Sequence, residues 1–95
     1  MEISNSEIAE LRQMKFRLEC AVKSGVVPSQ YKQIVLNSID KVKMPLATWG
    51  RKSREEIWSS FIGMVSARID TELNSLAVAP VVIQQIKNFI RKVNR

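Results

Sequence analysis

Apolar residues recur every three or four positions along four stretches of the chain, and proline or glycine separates each stretch from the next. This spacing places apolar side chains on one side of an α-helix, whereas a half-buried strand would need strict alternation. The interruptions fall at residues 25–28, at residues 45–50 and at Pro80. We therefore predict an all-α fold, either a small four-helix bundle or an orthogonal four-helix domain.

The four helices are predicted at about residues 5–24, 28–43, 54–77 and 80–94. Two capping-box patterns, over residues 4–7 and at Ser53 with Glu56, predict the starts of the first and third helices. Gly25 is typical of a helix end, and Pro28 and Pro80 suit a first helical turn. Because 95 residues support one hydrophobic core, we expect a single domain over residues 1–95.

The residue types needed for most catalytic and metal sites are missing from this sequence. It has no histidine, a single cysteine at Cys20 and three scattered glycines. These facts exclude a Ser-His-Asp or Cys-His relay, a zinc site built from histidine and cysteine, and a glycine-rich phosphate loop. Neighbouring carboxylates such as Glu55 and Glu56 point in different directions on a helix. We expect no enzyme activity, no catalytic residue, no metal and no cofactor.

Charge narrows the classes of partner. Fifteen Lys and Arg against nine Asp and Glu give a net charge of +6, which attracts nucleic acid, anionic lipid or an acidic protein. The alternative is that this charge only keeps the protein soluble. The single cysteine suits a reducing compartment, and the longest apolar stretch, residues 76–83, is too short to span a membrane. We expect a cytoplasmic protein without integral membrane insertion that binds a macromolecular partner.

A basic set of residues is the first candidate surface, for nucleic acid or for an acidic partner. Its members are Lys41, Lys43, Trp49, Arg51, Lys52 and Arg54 around the middle loop, and Lys87, Arg91 and Arg95 on the last helix. Basic groups can follow phosphates while an aromatic ring stacks on a base. The same residues also fit a tryptophan that covers the end of the bundle and cations that stabilise a helix C-terminus.

Two further interpretations concern the same classes of partner. A helix-turn-helix motif matches the spacing of Ala21, Gly25, Val26, Tyr31 and Ile34. The first helix is long for that motif, and Ser24 occupies a position that is usually apolar, so a simple helical hairpin explains the pattern as well. The basic amphipathic last helix could also lie on an anionic membrane surface, but its aromatic content is low.

Apolar and small residues on the back of two helices form the second candidate surface, a protein interface. They are Ala9, Phe16 and Cys20 on the first helix and Ser59, Gly63 and Ala67 on the third. A second apolar stripe implies a second partner, and small residues four positions apart permit close approach of another backbone. The alternative is that both faces are internal, because each helix of a bundle touches two neighbours.

We favour a non-catalytic, protein-binding regulator such as an inhibitor, an immunity factor or an adaptor. The preference is slight, because the basic charge supports a protein or a nucleic-acid partner equally, whereas the back-face residues support a protein partner or self-association. The alternatives are a DNA- or RNA-binding protein that uses the basic loop and the C-terminal helix, and a structural homo-oligomer.

Overall fold

The computed structural model describes residues 5–44 and 53–94, and these residues form four α-helices and no strand. The helices are α1 (Asn5–Ser24), α2 (Ser29–Lys41), α3 (Arg54–Ser75) and α4 (Pro80–Lys92). This confirms the predicted all-α, four-helix architecture. In the described ranges no helix is both long enough and apolar enough to cross a membrane.

Helix α3 is the centre of the fold, because it packs against α1, α2 and α4. A helix with three neighbours must be apolar over much of its circumference, whereas a peripheral helix needs one stripe. The buried residues of α3 are accordingly spread widely: Ile57, Trp58, Phe61, Ile62, Val65, Ser66, Ile69 and Leu73. Those of α4 form one row: Ile83, Ile86 and Ile90.

The buried side chains of all four helices form one continuous hydrophobic core. Phe61 is fully buried, and its ring centroid lies 5.4 Å from that of Trp58, within the range of a favourable aromatic pair. Two serines are also buried. Ser38 Oγ donates a hydrogen bond to the Ile34 carbonyl at 2.9 Å, whereas Ser66 Oγ has no partner among the described residues.

The starts of three helices follow local sequence signals. Ser53 Oγ accepts a hydrogen bond from the Glu56 backbone N–H at 3.2 Å, which confirms the predicted cap of α3. Pro80 is the first residue of α4, as expected. Pro28 instead precedes α2 as its N-cap residue, so α2 begins one residue later than predicted. The predicted cap at Ser4 lies outside the described residues.

Helix α1 ends at Ser24 as predicted, whereas the other three helices end earlier than predicted. Helix α3 stops at Ser75 rather than near residue 77, because Ala77 adopts a left-handed conformation with φ of 56°. The Val78 N–H donates to the Leu73 carbonyl and the Ala77 N–H to the Asn74 carbonyl, which is the Schellman pattern of a helix end. Helices α2 and α4 likewise end two residues early, since the residue after each is extended.

The role expected for Gly25 is corrected by the structure. No described glycine has a positive φ, so α1 does not end through a left-handed glycine. A Cβ at Gly25 would instead lie 2.7 Å from Cζ of Phe89 and would also overlap the Ala21 carbonyl oxygen. Glycine is needed here because a side chain would overlap the Ala21 carbonyl oxygen, which is the nearer atom, as well as the Phe89 ring of α4.

Candidate functional site

A groove of about 660 Å³ lies where α1, the N-terminal half of α3 and the C-terminal end of α4 meet. Ser59 and Gly63, one turn apart on α3, leave part of its wall without a bulky side chain. We call it the Gly63 groove. Its remaining lining residues are apolar Met14, Trp58, Ile62 and Val93, charged Arg54, Glu55 and Arg91, and Asn94.

A second hollow of about 480 Å³ opens beside the Gly63 groove, on the α1 side. The two share Met14, Arg54 and Asn94 as lining residues, so they lie side by side, and together we call them the depression. We call the second part the Arg17 hollow, because Arg17 of α1 lines it together with Glu10 and Gln13.

Two polar contacts between distant parts of the chain hold the edges of this depression. Asn94 is left-handed, with φ of 69°, and its Nδ2 donates a hydrogen bond to the Met14 carbonyl of α1 at 2.8 Å. Arg54 bridges α1 and α3, because its guanidinium donates to the Glu10 carboxylate and, at 2.8 Å, to Oε1 of Glu55. The positions of α1 and of the end of α4 around the groove are thereby tied together.

The charges of the depression fall into two groups. Hydrogen bonds to Glu55 and Glu10 raise the pKa of Arg54, while a backbone N–H and then Arg54 lower the pKa of Glu55. Arg54 and Glu55 are therefore charged at neutral pH and pair with each other. Arg17 and Arg91, by contrast, make no ion pair within the described parts of the chain.

The structure divides the predicted basic set. Trp49, Arg51, Lys52 and Arg95 lie outside the described residues. Arg54 and Arg91 line the Gly63 groove, and Lys41 and Lys43 are exposed at the end of α2. Lys87 Nζ lies 3.4 Å from Asp70 Oδ1, with only 19% of its side chain exposed. Lys87 is therefore engaged within the fold.

Lys41 is not brought together with Arg91. Lys41 lines a small hollow with Arg68 and Glu72 of α3, whereas Arg91 lies beside Ser59 and Gly63 of the same helix. Arg68 follows Ser59 by nine positions, and Glu72 follows Gly63 by nine. At about 100° per residue, nine positions end half a rotation away from the starting residue. The two basic residues thus lie on opposite sides of α3.

All six residues of the predicted protein interface are exposed. Ser59 and Gly63 line the Gly63 groove, and Ala67 lies on the same face of α3 one turn beyond it. The other three, Ala9, Phe16 and Cys20, lie on the outer face of α1, where Phe16 is 64% exposed. The alternative in which both faces are internal does not describe these side chains.

Sequence reasoning missed several residues that complete the depression. Met14 fitted the apolar stripe of α1 and gave no sign of being part of a surface. Arg17 carried no distinguishing pattern among the other cations of α1. Asn94 contacts α1 from 80 positions away, and no local signal predicts such a contact. Only the packing of α1 against α3 and α4 assembles these residues.

Among the residues that the structure describes, no group of three histidine, cysteine or acidic side chains could hold a metal ion. No protein-family model matches the chain, and no matching curated protein or solved structure was found. What can be said about function therefore depends on the residues themselves.

Proposed function

We propose that the protein is a non-catalytic, protein-binding domain of the regulator or adaptor class and that its partner docks in the Gly63 groove. The observation that carries the proposal is Gly63 itself. A glycine inside a helix costs about 0.5–1 kcal/mol relative to alanine. A Cβ at Gly63 would meet nothing within 4 Å, so no contact within the described chain requires glycine at this position.

The surroundings of Gly63 also favour a protein partner. Exposed Ser59 lies one turn away, and small residues at this spacing let another backbone approach α3 closely. Trp58, which is 9% exposed, also borders the groove, and aromatic side chains often dominate binding energy at interfaces. A partner that fills the groove would remove these groups from water.

Nucleic-acid binding and self-association are the competing functions. A nucleic-acid surface has less support, because Lys41 and Arg91 lie on opposite sides of α3 and Lys87 pairs with Asp70. Self-association through the groove would use the same residues and is distinguished below by molecular mass. We keep the cytoplasm as the proposed location, since a single free cysteine suits a reducing compartment.

Site-specific photocrosslinking tests the proposed function. A photoreactive amino acid at Ser59 should link the protein in cells to a partner polypeptide, which is then purified. Gly63→Leu fills the groove and should weaken binding of that purified partner at least about tenfold, the effect expected when a central interface contact is lost. Gln30→Leu is the control, because it adds the same side chain at an exposed position of α2 that does not line the groove.

Stability measurements accompany the binding assay. Both variants should remain folded, since Gly63 has open space around it and Gln30 is exposed. Equal affinity of wild type and Gly63→Leu for the purified partner would overturn the proposal. A salt-sensitive complex with nucleic acid that Arg91→Glu abolishes, in the absence of a crosslinked protein, would favour the nucleic-acid alternative.

A further inference from the structure

The cations that remain unpaired in the depression lie in its two different parts. Arg17 lines the Arg17 hollow and Arg91 lines the Gly63 groove, and neither makes an ion pair within the described ranges. Both are exposed. A ligand that lies along the whole depression would therefore find an available guanidinium in each part.

The anions of the depression are not available in the same way. Glu10 and Glu55 are both bound by Arg54, which connects α1 to α3. A cationic ligand would compete with Arg54 for these carboxylates, whereas an anionic ligand can pair with Arg17 and Arg91 without competing with any contact of the described residues. The net charge of +6 attracts an anionic ligand from a distance as well.

The shape of the depression suits a helix. Its walls are helices, its apolar lining includes Met14 of α1 and Val93 at the end of α4, and Ser59 and Gly63 permit close approach of a helical backbone. The described residues contain no strand, so an extended peptide has no sheet edge there to pair with.

We propose that the occupant of the depression is an acidic amphipathic helix of another protein. Its apolar face packs on the Gly63 groove, and its carboxylates at the two ends pair with Arg17 and Arg91. This inference rests on the proposed function and specifies the chemistry of the partner. Arg17 and Arg91 would determine the specificity of the interaction, and Gly63 would allow close packing.

A displayed peptide library provides a test that needs no knowledge of the natural partner. The library presents amphipathic helices with randomised apolar residues on one face and Glu or Lys, at equal frequency, at flanking positions. It is selected on the wild-type protein after removal of clones that bind Gly63→Leu. Because that variant keeps the full net charge, the removal step discards peptides that are attracted by charge alone.

The expected result is a selected set rich in Glu at both ends. Purified peptides from this set should bind Arg17→Glu and Arg91→Glu about fivefold more weakly each, as expected for exposed ion pairs. Lys41→Glu is the matched control, since it makes the same charge change on the opposite side of α3. Its affinity should stay close to that of wild type.

The contrary results are distinct for the two proposals. A selected set without an excess of Glu, or equal effects of Arg91→Glu and Lys41→Glu, overturns the acidic helix but leaves a Gly63-dependent partner in place. Failure to select any clone also overturns the acidic helix, whether or not a partner is crosslinked at Ser59. If light scattering detects a dimer that Gly63→Leu dissociates, the occupant is a second copy of the chain and the inference is wrong.

Discussion

Gly25 and Gly63 show how differently the same residue can be used. The Phe89 ring occupies the space that a side chain at Gly25 would need, whereas Gly63 faces open space on α3. Gly25 is therefore explained by packing within the protein. Gly63 has no such explanation, which is why it carries the functional proposal. The sequence places Gly25 at a helix end and Gly63 inside a helix, but it does not show that only Gly25 is required by packing.

At Gly25 we predict that substitution by alanine lowers the free energy of unfolding by about 1–3 kcal/mol, the usual cost of overpacking. The new Cβ would overlap Cζ of Phe89 and the Ala21 carbonyl, so α4 or the turn must shift. Urea denaturation measures the change. Adding Phe89→Leu should recover part of the loss, and unchanged stability of Gly25→Ala alone would show that the turn adapts freely.

Each helix of the fold needs a defined end as well as an apolar face. For α3 that end depends on Ala77, which adopts the left-handed conformation that glycine usually supplies. This conformation is sterically strained for alanine, which is therefore an unusual residue at a helix end. The sequence thus contains no signal that α3 ends before Ala77. The resulting turn buries Val78 against the core and directs the chain into α4.

We predict that Ala77→Gly stabilises the protein by about 0.5–1 kcal/mol. The substitution relieves a left-handed strain of about 1–2 kcal/mol, part of which is offset by the greater freedom of glycine in the unfolded chain. A rise in the thermal midpoint would report the gain. Ala67→Gly, at an exposed position inside α3, should instead lower the thermal midpoint. A loss of stability in Ala77→Gly would contradict this account.

On the scale of the whole molecule, the described residues present two separate candidate surfaces. One is the depression formed by the Gly63 groove and the Arg17 hollow. The other is the outer face of α1, where Phe16 is 64% exposed. An exposed aromatic residue beside Ala9 and Cys20 could serve as an interface anchor, but the structure contains nothing that indicates what would cover it.

Phe16→Ser separates these surfaces experimentally. Because the ring contributes little to the core, the free energy of unfolding should change by no more than about 0.5 kcal/mol, as measured by denaturant titration. Binding of the partner crosslinked at Ser59 should also be unaffected. If Phe16→Ser abolishes binding while Gly63→Leu preserves it, the interface is the outer face of α1 and the groove proposal fails.

Much of the helical architecture could be predicted because helix formation depends on neighbouring residues. The apolar period, the Ser53 cap and the position of Pro80 are local features, and each has its expected place in the structure. The surface exposure of Phe16 and Gly63 could be proposed but not decided, since a helix face is internal or external only in relation to its neighbours.

What the sequence determined by itself was therefore the helices, the scarcity of residues suited to catalysis, and the basic charge. Only the tertiary structure decided which groups meet. Arg54 joins Glu10 across 44 positions, and Asn94 joins Met14 across 80. Such contacts depend on how the apolar stripes of four helices pack together. The depression between α1, α3 and α4 exists because that packing brings together residues with no common local pattern.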